Sequence, residues 1–244
     1  GGGSETVYAT SATSPDGAGG LNLITRRAGA DTANTLFPNG ALLDANINAA
    51  YFPFADGWIG GAISASSGTE FDTFNLNGMT AGNISQNAFG TGDNFVSIPG
   101  VTDTRRQGIL LASHASNGNL YTLSTPTAGG EGFNLTTKAN NTNGSAGTDG
   151  GSISFVFVPR GTPGVTLGRV HGGNAAHQAS TGFQSGDAVT VVREGEALYR
   201  LSIAGQSPTS GTLLVGTHGS NDGDNGRASD NVVTFAPSGN DWII

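Results

Sequence analysis

The chain of 244 residues contains no cysteine. Disulfides, thiol catalysis and thiolate metal sites are therefore excluded. Charge is also scarce, because only 11% of the residues are charged, about half the share in an ordinary soluble domain. The net charge of −8 argues against a nucleic-acid partner, since such a partner requires a basic surface.

Long apolar runs are missing as well. No window approaches the roughly 18 consecutive apolar residues of a membrane-spanning helix, so we predict no membrane insertion. No secretory signal is visible, although one removed before Gly1 is compatible with the sequence. The lack of cysteine, the low charge and the richness in Gly, Ser, Thr and Asn together indicate an extracellular or cell-surface protein.

Glycine is abundant, at 41 residues, and short apolar runs separate the polar stretches. Alternation with period two recurs along the chain, and this pattern predicts strands. In "SISFVFVP", Ile153, Phe155 and Phe157 share one face while Val156 and Val158 share the other. Both faces are apolar, so this strand is predicted to be central and covered on both sides.

Other segments support an all-β fold. A hairpin is predicted with strands at 188–192 and 198–203, joined by a turn through 194–196. The one helical candidate is a single turn at 41–45, closely bracketed by Gly40 and Pro53. Many Asn-Gly pairs supply the positive φ that tight turns require.

One segment of the sequence occurs in two similar copies. "QGILLASHASNGN" at 107–119 returns as "SGTLLVGTHGSND" at 210–222, and each copy follows a related "SIPG" or "SIAG". This predicts an internal duplication with a period of a little over 100 residues. The expected fold is a β-sandwich or jelly-roll-like body of two related units, with an arm at 1–20, a first unit at 21–158 and a second at 159–244. Both copies contain a histidine, His114 or His218, which is most simply structural, with a ligand role left open.

Four tracts suggest a relationship to known proteins: "AAYFPFADGWIGGAIS", "GILLASHASNGN", "FVFVPRGTPGVTLGRVHG" and "FAPSGNDWII". In these tracts, over roughly residues 47–244, the chain resembles large β-rich secreted or cell-surface proteins of planctomycete-type bacteria. The resemblance implies a secreted or surface location and supplies no catalytic residues.

Calcium is the best candidate for a small ligand. "SNDGDNGRASDN" places Asp222, Asp224 and Asp230 in one loop with several asparagines, and all offer hard oxygen donors. The loop departs from the EF-hand pattern, since Gly226 stands at a ligand position and no Glu closes it. A plain solvated acidic turn is the alternative, so a calcium cofactor stays open beside none at all.

Catalytic patterns are not found. His171 and His177 lie six apart without a third zinc ligand. Glu194 and Glu196 sit at a predicted hairpin tip, where paired glycosidase carboxylates are not expected. Neither a nucleophile elbow nor a phosphate loop followed by a helix is present. We therefore predict a protein that is not an enzyme.

The two ends of the chain suggest assembly. Val7, Tyr8 and Ala9 lie in a strand-prone arm that can pair with a neighbouring copy's open sheet edge or fold against its own domain. The other end is apolar, with Trp242, Ile243 and Ile244, and is expected to be buried. Head-to-tail strand addition does not close and generates fibres.

Two functions follow as hypotheses. The first is a non-catalytic extracellular structural protein that forms a filament, appendage or surface layer with copies of itself. The alternative is a monomeric cell-surface adhesion or carbohydrate-binding module, in which an aromatic side chain such as Trp58 or Trp242 stacks on a glycan. Core packing of both tryptophans is the competing expectation.

Overall fold

The computed structural model describes residues 8–15, 21–28, 50, 52–53, 57–65, 71–86, 93–114, 120–127, 129–139, 152–171, 180–195, 198–216 and 235–244. Nearly all regular structure in these ranges is β-strand, so the all-β prediction is confirmed. The strands are β1 Tyr8–Pro15, β2 Leu21–Ala28, β3 Ile59–Ala65, β4 Phe71–Asn77, β5 Ile84–Gln86, β6 Asp93–Val96, β7 Gly108–His114, β8 Leu120–Pro126, β9 Phe133–Ala139, β10 Ser152–Pro159, β11 Leu167–His171, β12 Ser180–Ser185, β13 Val189–Gly195, β14 Leu198–Ile203, β15 Ala236–Ser238 and β16 Asp241–Ile243. A 3-10 turn at Ala81–Asn83 is the one helical element in the described ranges, and no helix there is long and apolar enough to cross a membrane.

The first part of the chain forms a sandwich of two four-stranded antiparallel sheets. One sheet has the order β4-β3-β10-β7, and the other has the order β5-β6-β9-β8. Their facing side chains make one hydrophobic core, in which Phe133 of one sheet and Phe157 of the other have ring centroids 6.1 Å apart. The core residues are Ile63, Ile84, Val96, Ile98, Leu110, Phe133, Leu135, Ile153, Phe155 and Phe157.

Strand β10 is central and covered on both faces, as its sequence predicts. It pairs with β3 on one side and β7 on the other. Ile153, Phe155 and Phe157 enter the core between the sheets, and Val156 and Val158 enter a second cluster on the outer face. An apolar run with two apolar faces thus occupies a position without solvent-exposed edges.

The last part of the chain repeats this strand order. The hairpin β11–β12 comes first and contains a register shift, as the β3–β4 hairpin does. A four-stranded antiparallel sheet follows with the order β13-β14-β16-β15, the same order along the chain as β5-β6-β9-β8. The predicted hairpin at 188–203 is confirmed as β13–β14.

One turn recurs in atomic detail. After β6, the amide of Val101 donates to the carbonyl of Ile98 at 3.0 Å, with Gly100 at φ 78°. After β14, the amide of Gln206 donates to the carbonyl of Ile203 at 3.0 Å, and the equivalent glycine has φ 72°. A positive φ at the third turn position favours glycine, which explains why "SIPG" and "SIAG" share it.

The correspondence ends at the stretch on which the predicted duplication was based. Gly108–His114 is strand β7, whereas residues 211–216 belong to no strand. The expected equivalence of 109–112 and 212–215 is therefore not confirmed, and neither are the duplication as a whole and the jelly-roll arrangement. His218 and the possible helical turn at 41–45 lie outside the described residues.

The N-terminal arm pairs within its own chain. Strand β1 runs antiparallel to β2, from Tyr8 opposite Ala28 to Pro15 opposite Leu21, and this pair forms a separate two-stranded sheet. Strand β1 also lies beside β7. This is the arrangement in which the arm folds against its own domain.

Candidate assembly surface

Strand β11 is held against the outer face of the first sandwich. Leu167 is buried with Val156 and Val158 of β10, and Trp58 and Val165 pack against the same cluster. Trp58 also makes an edge-to-face contact with Phe52, with ring centroids 5.2 Å apart. This tryptophan is therefore used in packing.

The Arg169 side chain connects β11 to the turn at 104–106 that precedes β7. Its Nη1 donates to the carbonyl of Arg105 at 3.0 Å, and its Nη2 lies 3.5 Å from the carbonyl of Thr104. Burial lowers the pKa of Arg169, and the nearby Arg105 charge lowers it further. The Arg169 side chain thus links β11 to the turn before β7, although burial and the Arg105 charge disfavour its charged form.

On its other side, β11 lacks a strand neighbour among the described residues. Strand β12 is its one partner in the described ranges, whereas β3 of the first sandwich pairs with both β4 and β10. Residues 211–216 follow the turn at Gly205, as β7 follows the turn at Gly100, yet they join no sheet. No backbone hydrogen bond connects 211–216 to another described residue.

The large exposed hydrophobic side chains of the described residues all lie in the C-terminal part of the chain. Among the described residues, the large exposed ones are Val192 at 52%, Leu198 at 41% and Leu214 at 39%. In the C-terminal sheet only Leu201 and Trp242, which are opposite each other in the register, are buried. The C-terminal sheet thus lacks the extensive cover that the first sandwich has.

A polar network fixes the strands of that sheet. The Nε of Arg200 on β14 donates to Oε1 of Glu194 on β13 at 2.5 Å, and its Nη1 lies 3.6 Å from Oδ2 of Asp241 on β16. Nη1 also donates to the Ser238 hydroxyl at 3.2 Å. The hydrogen bond to Glu194, followed by the carboxylate charges, raises the pKa of Arg200. Glu194 is thus an ion-pair partner of Arg200 near the end of β13.

The structure places the predicted assembly residues on two different sheets. Tyr8 and Ala9 lie on β1, opposite Ala28 and Arg27. Trp242 is 3% exposed on β16, and Ile243 and Ile244 beside it are half-buried. Ile244 also exchanges two backbone hydrogen bonds with Tyr199, so the apolar end is held in place. Val7 lies outside the described residues.

Most of the residues that were predicted as candidate metal ligands cannot be placed in the fold. Asp222, Asp224, Asp230 and His177 lie outside the described residues. Within the described part of the chain, no three His, Asp or Glu side chains are grouped as metal ligands. His114 is buried, on the face of β7 that meets the core.

The hydrophobic core of the first sandwich has a polar end that no sequence pattern predicted. Asn94, Thr122, Ser124 and Thr137 share the inner face of the β5-β6-β9-β8 sheet. Their side chains have buried polar atoms without hydrogen-bond partners, including both amide atoms of Asn94. The asparagine two positions before the core residue Val96 was the available signal, because this spacing places both on one face.

The chain matches no family model, no curated protein and no solved structure.

Proposed function

We propose that this protein is a non-catalytic extracellular structural protein whose copies assemble by β-strand addition into a filament, appendage or surface layer. The observation that carries the proposal is that, within the described residues, β11 pairs with β12 alone and residues 211–216 pair with no strand. An open strand edge beside exposed apolar side chains is a template for pairing with another chain.

The proposal includes the duplication. Its support is the shared strand order of the two four-stranded sheets, the hairpin with a register shift before each, and the common turn at Gly100 and Gly205. Within the described residues, 211–216 form no strand where the first unit has β7.

Composition supports the location and the absence of other partners. A chain without cysteine and with little charge needs no oxidative folding and presents few charged groups to blunt its edges. Lys138, the single lysine, belongs to the first unit and cannot protect the edge of the second. The buried Trp242 and the packed Trp58 offer little support for a glycan-stacking adhesion module.

Electron microscopy and sedimentation of the purified chain test this function. The intact chain should form filaments or sheets, and the chain without residues 1–16 should stay folded by circular dichroism but sediment as a monomer. The truncation removes β1 and leaves every core residue of the first sandwich in place. An intact chain that remains monomeric at high concentration would refute the proposal.

A further inference from the structure

We infer that a shallow cavity at one end of the first sandwich binds an acidic sugar residue of a polysaccharide, through the guanidinium groups of Arg105 and Arg106. The cavity, which we call the arginine cavity, has a volume of about 350 Å³. Its lining residues are Thr102, Asp103, Arg105, Arg106, Gly129 and Gly130. This inference does not depend on the proposed assembly and is tested separately.

Two hydrogen-bonded turns form the arginine cavity. One turn lies between β6 and β7, and the other joins β8 to β9. The buried Thr104 connects them, since its amide donates to the carbonyl of Gly130 and its hydroxyl donates to the carbonyl of Gly132, both at 3.1 Å. Oε1 of Gln107 accepts from two amides of the first turn, at 2.7 and 2.6 Å. The cavity is therefore preorganised, which lowers the entropic cost of binding.

The arginines concentrate positive charge at this end of the sandwich. The guanidinium group of Arg105 makes no hydrogen bond or ion pair with another residue in the described part of the chain. The Arg106 side chain is 81% exposed and lies 3.9 Å from Oδ2 of Asp103. Arg169 is bonded to the same turn, where burial and then the Arg105 charge lower its pKa. An anion bound by Arg105 would offset this repulsion.

The other polar groups of the cavity match the hydroxyls of a sugar. Guanidinium groups bind carboxylate or sulfate groups through paired hydrogen bonds. The carboxylate of Asp103 is oriented by the amide of Arg105, which donates to its Oδ1 at 3.1 Å. Together with the Thr102 hydroxyl, it offers acceptors for sugar hydroxyls. A uronic acid or a sulfated sugar presents both kinds of group, whereas an inorganic anion would use the arginines alone.

Negative charge elsewhere favours a ligand whose anionic groups are widely spaced. Glu131 lies beside Gly129, and its Oε2 accepts from the Thr127 hydroxyl at 3.0 Å. More distant carboxylates are screened over about 8 Å at physiological ionic strength. Duplex DNA carries one charge per about 1.7 Å, so its phosphates would extend over the acidic surface of a chain with a net charge of −8. One acidic sugar needs only the cavity.

Isothermal titration calorimetry of the intact chain tests the site. Polygalacturonate supplies carboxylates, dextran sulfate supplies sulfate esters, dextran is the neutral control, and sodium sulfate supplies the free anion. We expect at least one of the two acidic polysaccharides to bind, dextran to give no binding heat, and sodium sulfate to bind more weakly than the acidic polysaccharide. Sodium sulfate that binds as tightly as the polysaccharide would overturn the recognition of a sugar.

Three variants of the intact chain locate the binding. Arg105→Gln should weaken binding at least about tenfold, because charge-assisted hydrogen bonds are lost. Arg105→Lys should recover part of the affinity, since it keeps the charge without the planar fork. Arg160→Gln is the matched control: Arg160 is exposed and its amide donates to the carbonyl of Gln107 at 2.7 Å, but it does not line the cavity. Equal losses for Arg105→Gln and Arg160→Gln would indicate diffuse charge attraction and overturn the inference.

Folding and assembly are checked independently. The described hydrogen bonds of Arg105 use its backbone, so Arg105→Gln should leave the thermal unfolding curve unchanged. Glu131→Gln should strengthen binding, because it removes a like charge beside the anion, and weaker binding by this variant would contradict an anionic ligand. If neither acidic polysaccharide binds the intact folded chain, the inference is wrong, while the assembly proposal is unaffected.

Discussion

At the scale of single residues, Asn94 is the clearest departure from an ideal core. It is 1% exposed, and neither of its amide atoms has a hydrogen-bond partner. Because an unsatisfied buried polar group costs about 1–3 kcal/mol, we expect Asn94→Leu to raise the free energy of unfolding by about that amount. Urea denaturation monitored by fluorescence measures the change.

Asn83 provides the control for that substitution. Its Oδ1 accepts from the amide and the hydroxyl of Thr80, and its Nδ2 donates to the Ser97 hydroxyl at 3.3 Å. Asn83→Leu should therefore destabilise the protein. A loss of stability for Asn94→Leu as well would mean that Asn94 has a partner, such as ordered water or a ligand.

Alanine substitutions at Gly57 and Gly78 distinguish the cost of a left-handed backbone from the cost of a steric clash. Gly57 and Gly78 have φ of 77° and 70°, but a Cβ on Gly57 would meet no atom of the described residues within 4 Å, and one on Gly78 would lie 2.9 Å from Cγ1 of Ile59. Gly57→Ala should cost about 1–2 kcal/mol through its left-handed backbone alone. Gly78→Ala should cost about 1–3 kcal/mol more, because the contact forces local repacking. Equal thermal shifts for the two variants would show that the conflict at Ile59 relaxes without cost.

At the scale of elements, local pattern predicted some strands well. The alternating "SISFVFVP" predicted β10 and both of its covered faces, and the sequence around 188–203 predicted the β13–β14 hairpin. In both cases the information is local, since side-chain period and turn residues specify a strand and its direction. The apolar C-terminal strand, with Trp242 buried, follows from the same kind of information.

The strand expected at 212–215 is not found, and this shows that a local sequence pattern does not reveal whether a strand has a neighbour to pair with. "GILLASH" and "GTLLVG" have nearly the same strand propensity, but the first forms β7 beside β10 and the second forms no strand. A strand requires a hydrogen-bonded neighbour, and that neighbour can be far away in the sequence. Likewise, no local signal showed that the amide of Asn94 would lack partners, since this depends on Thr122, Ser124 and Thr137 from other strands.

At the scale of the whole molecule, the buried core is unevenly distributed. All buried hydrophobic side chains in the described ranges precede residue 159, except Leu167, Leu201 and Trp242. Because local opening is easiest where few apolar contacts are buried, amides of β14 should exchange at least about tenfold faster than those of β10 in the monomer. Hydrogen exchange measured by mass spectrometry tests this.

Assembly should reduce that difference. If copies assemble through the folded C-terminal sheet, binding stabilises that sheet by mass action, so exchange at β14 should slow in filaments while exchange at β10 stays unchanged. The truncated chain without residues 1–16 serves as the monomeric control. Equal exchange rates at β10 and β14 in that control would contradict the uneven distribution of stability.

The position of β10 between two paired strands also determines how it resists mechanical force. A strand that pairs with β3 and β7 along Ile153–Phe157, when pulled along its own axis, must break both rows of hydrogen bonds together rather than one bond after another. Shear of this kind resists tension far better than peeling from an edge. A filament whose subunits were joined by strands paired on both sides in this way would therefore behave as a tether, with its strongest links at the junctions between subunits.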